Sequence, residues 1–332
     1  MTRVAVIGVG MMGRNHARVY SEIPQVELAA IVDANPELAE KAGRMFHVPA
    51  YSEIQPMLDA VRPEAVSVVV PTFLHFTVAK QALESGCHVL VEKPIATSLE
   101  DAQELINLAE QHKRILTVGH IERYNPAIIE LKRRLDMGEL GKTFQMHTRR
   151  LGPSPTRIQD VGVALDLAPH DLDIMRYLIG CEAQYVFAHT QREMHATQED
   201  LFVGMVAFED QTIGLLEINW LTPTKIRELY VTGAYGMFKV NYITQDLFFY
   251  QNGEVNGNNW PVINLLRGVG EGTATQFVIN KKEPLRVELE SFIRRIQGNP
   301  VNLVKGKDAI AALEMVSGFM ESARNHQVKH LR

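Results

Sequence analysis

Gly8-Val9-Gly10-Met11-Met12-Gly13 sets three glycines at the spacing G-x-G-x-x-G, after the apolar run Val4–Gly8 begins and ahead of a helix-compatible run, Arg14–Tyr20. Glycines so placed serve a tight turn, a close backbone approach to a pyrophosphate, and hard packing of the helix on the strand. The phosphates would lie against the helix N-terminus, whose free N–H groups and dipole favour anions. Met11 and Met12 fill the variable positions and are grouped with the cofactor-binding residues. Asp33 follows Gly13 by 20 residues, at the end of a second strand pattern. A carboxylate there accepts hydrogen bonds from the adenosine ribose hydroxyls and repels a 2′-phosphate. No arginine follows until Arg44, so the expected cofactor is NAD rather than NADP.

Asp166, His170 and Asp173 stand at i, i+4 and i+7, which is one face if the segment is helical. That spacing suits a metal or acid–base chemistry. No further His or Cys cluster at ligand spacing accompanies it, and Pro169 interrupts the segment, so no metal is expected. Arg149, Arg150 and Arg157 are candidates for bidentate phosphate contacts, with solvated surface charge the equal alternative for each.

These groups need a scaffold. The first 120 residues alternate apolar strand patterns (Val4–Gly8, Leu28–Val32, Ala65–Val70, Val89–Val91, Ile115–Val118) with amphipathic stretches (Pro36–Met45, Phe73–Glu84, Leu99–His112). Buried strands separated by helices imply a doubly wound parallel sheet. Strand patterns then follow one another directly: Phe144–Arg150, Tyr185–Thr190, Leu201–Phe208, Thr212–Trp220, Arg227–Thr232, Met237–Val240 and Leu247–Tyr250. That succession implies an α+β domain with an open, mainly antiparallel sheet. Helices near His170–Ile179, Leu285–Gln297 and Lys307–Asn325 would cover one of its faces, and Asn252–Trp260 reads as a loop. The expected division is residues 1–121 and 122–332.

Composition narrows the function classes. The 332 residues carry 34 Lys+Arg against 39 Asp+Glu, a formal net charge of −5, which does not suit nucleic acid or an anionic membrane surface. Cys87 and Cys181 make neither a disulfide framework nor a zinc site. No apolar run approaches the roughly 20 residues of a membrane span. The opening apolar stretch runs into the glycine pattern without a cleavage site, as a strand does and a signal peptide does not. A cytoplasmic protein is the expectation.

Further landmarks are Pro71-Thr72-Phe73-Leu74-His75, Glu92-Lys93-Pro94, and Asp166-Leu167-Ala168-Pro169-His170-Asp171-Leu172-Asp173. With the glycine fingerprint, they make the whole chain resemble the glucose–fructose oxidoreductase / inositol dehydrogenase / MocA family. The resemblance implies an NAD-binding Rossmann domain and a sheet domain that binds substrate and forms homo-oligomers, dimers or tetramers, through its outer face. It implies Pro71, Thr72, His75, Glu92 and Lys93 as cofactor-binding residues, and Lys93, Asp166 and His170 as the catalytic set. Two departures stand out. Ala168 replaces a common glycine, and Pro169, comfortable only in a helix's first turn, suggests a helix starting near His170.

Three further segments are similar to the family's UDP-N-acetylglucosamine 3-dehydrogenase branch: Gly119-His120-Ile121-Glu122-Arg123-Tyr124-Asn125-Pro126; Arg149-Arg150-Leu151-Gly152-Pro153 with Arg157; and Asn219–Arg227 with Tyr242–Asp246. This finer likeness implies a nucleotide-sugar substrate contacted by Arg123, Tyr124, Asn125, Arg149, Arg157, Asp166 and His170. Oxidising a secondary alcohol needs a hydride acceptor, which NAD supplies, and a base, which a histidine suits at neutral pH. A lysine cation would stabilise the developing alkoxide, and an aspartate would orient the histidine or bind a neighbouring hydroxyl. The alternatives are an inositol or simple sugar dehydrogenase on the same scaffold, and a non-catalytic NAD(H) sensor, which would need the fingerprint but not Lys93, Asp166 and His170.

Overall fold

Val4, Ala5, Val6 and Ile7 are all buried, so their strand is covered on both faces, as a central strand of a parallel sheet must be. The computed structural model describes residues 1–154, 161–195, 197–253 and 270–331. The strands β1 (Thr2–Ile7), β2 (Val26–Val32), β3 (Ala50–Tyr51), β4 (Ala65–Val68), β5 (His88–Glu92) and β6 (Leu116–Gly119) form a six-stranded sheet. Its order is β3-β2-β1-β4-β5-β6, with every pairing parallel. Between the strands run α1 (Met11–Glu22), α2 (Pro36–Phe46), α3 (Ile54–Val61), α4 (Thr72–Glu84) and α5 (Leu99–Gln111). Asn35 and Ser98 cap α2 and α5 with side-chain oxygens. Strand order reverses between β1 and β4, and ligands of such sheets bind at the carboxyl ends of that pair.

The chain divides into two compact units, Met1–Ile121 with Glu283–Leu313, and Glu122–Lys282 with Glu314–Arg332. Residues 122–332 therefore do not all form one second domain. In the helix Pro284–Ile296, Leu285, Leu289, Phe292 and Ile293 complete the core around Val19 and Tyr20 of α1, and so return that segment to the first unit.

After α6 (Pro126–Asp136), the second unit carries β7 (Thr143–Pro153), α7 (Val163–Ile179), β8 (Ala183–Gln191), β9 (Leu201–Phe208), β10 (Ile213–Asn219), β11 (Leu221–Gly233), β12 (Gly236–Asn241), β13 (Asp246–Gly253) and β14 (Gly270–Phe277). Among the described residues the two remaining α-helices are α8 (Pro284–Ile296) and α9 (Gly306–Asn325), and β15 (Lys329–His330) ends the described chain. The nine strands run β14-β13-β12-β11-β7-β10-β9-β8-β15, antiparallel except for the parallel β7–β10 pair. Burial along β7 alternates: Met146, Thr148 and Arg150 are buried, while Gln145, His147 and Arg149 are half-exposed. The helix α7 packs against β7, β9 and β10. The fit is close at Gly214 of β10, where a Cβ would stand 2.6 Å from the Met175 sulfur.

Candidate functional site

In the first unit, the glycine turn has the geometry its sequence suggests. Gly8 has φ +91°, and a Cβ there would lie 2.3 Å from the Val69 carbonyl oxygen. A Cβ at Gly13 would lie 1.8 Å from the Gly8 carbonyl oxygen, so helix and strand touch through backbone. Gly10, which caps α1, has nothing within 4 Å of where its Cβ would be. The first turn of α1 thus presents N–H groups that the helix leaves unbonded beside open space. The Asp33 carboxylate is aimed from both oxygens: Oδ2 accepts the Val9 N–H (2.8 Å) and Oδ1 the Asn35 N–H (2.9 Å). Met11 and Pro71 are exposed, and Thr72 is half-buried at the start of α4. Glycine close approach, a helix N-terminus and an oriented carboxylate fit a dinucleotide.

Of the other expected cofactor residues, His75 is a buried brace. Its Nδ1 meets the Pro94 carbonyl (2.7 Å) and its Nε2 the Val70 carbonyl (2.9 Å), which ties the turn after β4 to the turn after β5. Burial pushes its pKa down, against the pull of the two carbonyls. Glu92 is held the same way: the ring of the buried His16 meets Oε1 (3.0 Å), and the Lys93 N–H donates to Oε2 (3.2 Å). Burial raises the Glu92 pKa, but the His16 hydrogen bond, with the charges of His16 and Lys93 and the Lys93 amide, outweighs it and keeps the group below the ordinary carboxylate value. Lys93, half-buried, follows Glu92 at the end of β5, and its peptide to Pro94 is cis.

In the second unit, α7 begins at Val163, well before His170, and runs through Pro169. The proline removes one donor, the partner of the Leu165 carbonyl. Leu165 is exposed, so water can take that place. The N-terminus is secured by Glu199, whose carbonyl and carboxylate accept the Val163 and Ala164 N–H groups. A continuous helix keeps Asp166 and His170 one turn apart on one face, both half-buried. Asp173, the third member of that spacing, is taken by Arg123 through a bidentate pair of 2.7 and 2.6 Å.

The arginines sort by strand register and by partner. Arg150, on the α7 side of β7, makes a bidentate pair with Asp171 (2.8 and 3.0 Å) and reaches Glu122 (3.1 Å). Burial opposes its charge, but Asp171 and Glu122 more than compensate and hold its pKa above the ordinary value. Arg149 points to the opposite face of the sheet, where it bonds Glu217 (2.9 Å), so it does not join Asp166 and His170. Arg123 is a structural fork, its guanidinium 4.8 Å from the Tyr177 ring. Asn125 is buried, caps α6 by accepting the Ala127 N–H, and donates to the Tyr242 carbonyl (3.0 Å), so its side-chain amide is engaged on both sides within the fold. Tyr124 is buried next to it. Arg157 lies outside the described residues. Arg227 of β11 was not singled out by the sequence, although it closes the segment Asn219–Arg227 that carried the finer resemblance. It stands opposite Arg150 across the strand pair.

Comparison with known proteins agrees with this geometry. A family model described as an oxidoreductase family with an NAD-binding Rossmann fold matches residues 2–120, and one for the GFO/IDH/MocA C-terminal domain matches residues 128–239. The chain is 30% identical to UDP-N-acetylglucosamine 3-dehydrogenase of Acidithiobacillus ferrooxidans, over 96% of this chain and 97% of that one. The solved structure of that enzyme superposes with a TM-score of 0.85 at 28% identity, covering 97% of each chain. The scyllo-inositol 2-dehydrogenase (NAD(+)) of Bacillus subtilis is 33% identical over 56% of each chain. The WlbA dehydrogenase of Bordetella pertussis, solved in complex with NADH and UDP-GlcNAcA, shares the fold with a TM-score of 0.80 at 21% identity, covering 100% of this chain and 99% of that one.

Proposed function

The chain belongs to the GFO/IDH/MocA oxidoreductase family of NAD-dependent sugar and nucleotide-sugar dehydrogenases, and from that premise we propose that it oxidises the C3 hydroxyl of UDP-N-acetylglucosamine to the 3-keto sugar. The product would serve the synthesis of a 2,3-diamino sugar. One observation carries the choice of substrate: the likeness to the A. ferrooxidans enzyme runs through both units, whereas that to the inositol dehydrogenase covers about half the chain.

NAD, when bound, supplies the hydride acceptor. The chain's own groups handle the proton and the charge. His170 takes the hydroxyl proton, and Asp166, one turn before it on α7, orients the ring or holds an adjacent hydroxyl. Lys93 stabilises the developing alkoxide. Glu92, fixed by His16, accepts the Lys93 amide and so positions the backbone that carries the lysine. A sensor of NAD(H) would need none of these three. The half-exposed face of the second sheet bearing His147, Arg149, Glu217 and Tyr230 is the surface proposed to join copies into a dimer or tetramer, which sedimentation would measure. Among the described residues no helix is long and apolar enough to cross a membrane.

The test is NAD reduction with UDP-N-acetylglucosamine beside myo-inositol, scyllo-inositol and free N-acetylglucosamine, with UDP as a competitor. Turnover of the nucleotide sugar with inhibition by UDP supports the proposal. Turnover of an inositol without inhibition by UDP replaces it with an inositol dehydrogenase.

A further inference from the structure

Arg123, Arg149 and Arg150, around α7 and β7, have their charge neutralised by the fold itself. Arg123 is held by Asp173, Arg150 by Asp171 and Glu122, and Arg149 by Glu217. Arg227 is different. Its Nη1 donates to two backbone carbonyls, those of Leu151 (2.5 Å) and Ile226 (2.7 Å), and among the described residues it pairs with no carboxylate. Directly opposite Arg150 in the β11–β7 register, it shares that residue's face of the sheet, the one α7 covers. Two guanidinium groups therefore stand side by side while the nearby carboxylates Asp171 and Glu122 are spent on one of them.

Among the described residues, the surroundings leave the second guanidinium approachable. A Cβ at Gly152 would stand 3.9 and 4.0 Å from its Nη1 and Nη2, so a glycine there keeps one flank uncovered. The pairing of β11 with β7 steps from Leu221–Pro153 to Ile226–Leu151, and the exposed residues Pro223, Thr224 and Lys225 between those pairs bulge out of the ladder. Burial, and then Arg150, press the Arg227 pKa down to about 10, with Asp171, Glu122 and Asp166 pulling the other way. A half-buried cation held beside a like charge is relieved by an incoming anion. A guanidinium fork matches a phosphoryl group in two parallel hydrogen bonds, which a neutral polyol does not offer.

We propose that Arg227 grips a phosphoryl group of the substrate, a role the sequence leaves open among other arginines, Arg149 included, and that Gly152 keeps the approach to it open. This deepens the nucleotide-sugar proposal and rests on it.

The test compares full-length wild-type protein with Arg227→Met, Arg227→Lys, Gly152→Val and Arg149→Met. The readouts are KM for UDP-N-acetylglucosamine, the inhibition constants of UDP and inorganic pyrophosphate, and NAD affinity. Arg227→Met should raise KM and both inhibition constants by about tenfold or more, the scale of a lost charged hydrogen bond, with NAD affinity unchanged. Arg227→Lys, which keeps the charge without the fork, should fall between it and wild type. Gly152→Val, which leaves the guanidinium and its carbonyl bonds in place, should weaken UDP in the same direction and decides the matter if Arg227→Met does not fold. Unchanged UDP inhibition in both Arg227→Met and Gly152→Val, or a larger loss in Arg149→Met than in Arg227→Met, overturns the assignment while leaving the dehydrogenase proposal standing. If wild type ignores UDP and its sugar, the nucleotide-sugar proposal falls by itself, and loss of pyrophosphate binding in Arg227→Met still upholds the anion site.

Discussion

In the first unit a ligand cradle is made almost entirely of backbone: Gly8 and Gly13 bring chain against chain, Gly10 leaves room, and the start of α1 supplies N–H donors. In the second unit the candidate site is made of side chains, in which buried arginines and aspartates are matched pair by pair and Arg227 is left to carbonyls. The two kinds of site fail differently. A backbone cradle depends on what is missing from a few residues, so an added methyl group damages it locally. A charge network depends on each member having its counter-charge, so removing one group leaves another buried and alone.

The largest effect should come from breaking such a pair. Asp171→Ala removes the bidentate partner of the Arg150 guanidinium, whose side chain is 5% exposed, leaves it with Glu122 alone, and should cost about 3 kcal/mol in denaturant unfolding. Glu217→Ala, which removes the partner of Arg149 on the half-exposed face, should cost no more than about 1 kcal/mol. Similar losses from the two would erase the distinction between the faces. Next in size, His170→Ala and Lys93→Met should each lower turnover by about 100-fold or more while NAD still binds, the scale of general-base and electrostatic contributions. Wild-type turnover in either variant would remove that residue from the catalytic set.

The same comparison explains what was legible in the sequence. The parallel sheet, the mainly antiparallel sheet and the glycine turn follow from residue spacing, because strand and helix periods and a glycine's missing side chain are local properties. The arginines were not legible. Arg149 and Arg150 are neighbours in sequence, yet strand alternation sends them to opposite faces, and only the packing of α7 decides which face is the inner one. Arg123, Asn125 and His75 carry residue types that bind ligands, but their partners lie across the fold, at Asp173, Tyr242 and Pro94. Pro169 signals a helix start, and α7 passes through it because the lost hydrogen bond falls at the exposed Leu165. The segment Glu283–Leu313 has an amphipathic pattern that does not say which core it serves.

Two smaller effects sharpen the view of the first unit. Asp33→Ala removes both the expected ribose acceptor and the group that takes the Val9 N–H, so the preference for NAD over NADP should narrow by about tenfold, roughly 1.4 kcal/mol, in competitive binding. A wild-type protein that favours NADP would contradict the role given to Asp33. The unit also contains, among its described residues, one buried carboxylate that is unmatched: Glu288 of α8 is fully buried, and neither oxygen has a hydrogen-bond partner. Burial, reinforced by the charge of Glu92, raises its pKa well above the ordinary 4.5. The folded chain then holds that proton where the unfolded chain releases it, so the group's contribution is complete below pH 4.5 and is lost as pH rises toward the folded value. Glu288→Gln should remove a slope of roughly 1 kcal/mol per pH unit across that window, read as the difference in unfolding free energy between wild type and variant. A difference that stays flat with pH would mean that Glu288 is ionised in the folded protein.

The most direct measurement uses UDP-N-acetylglucosamine carrying deuterium at C3 of the sugar, incubated with the enzyme and NAD, with the reduced cofactor and the sugar then weighed by mass spectrometry. The account predicts that the deuterium appears in the reduced cofactor and that the nucleotide sugar becomes a ketone at that carbon. Reduced cofactor without the label, or no reaction here while an inositol is oxidised, would contradict it.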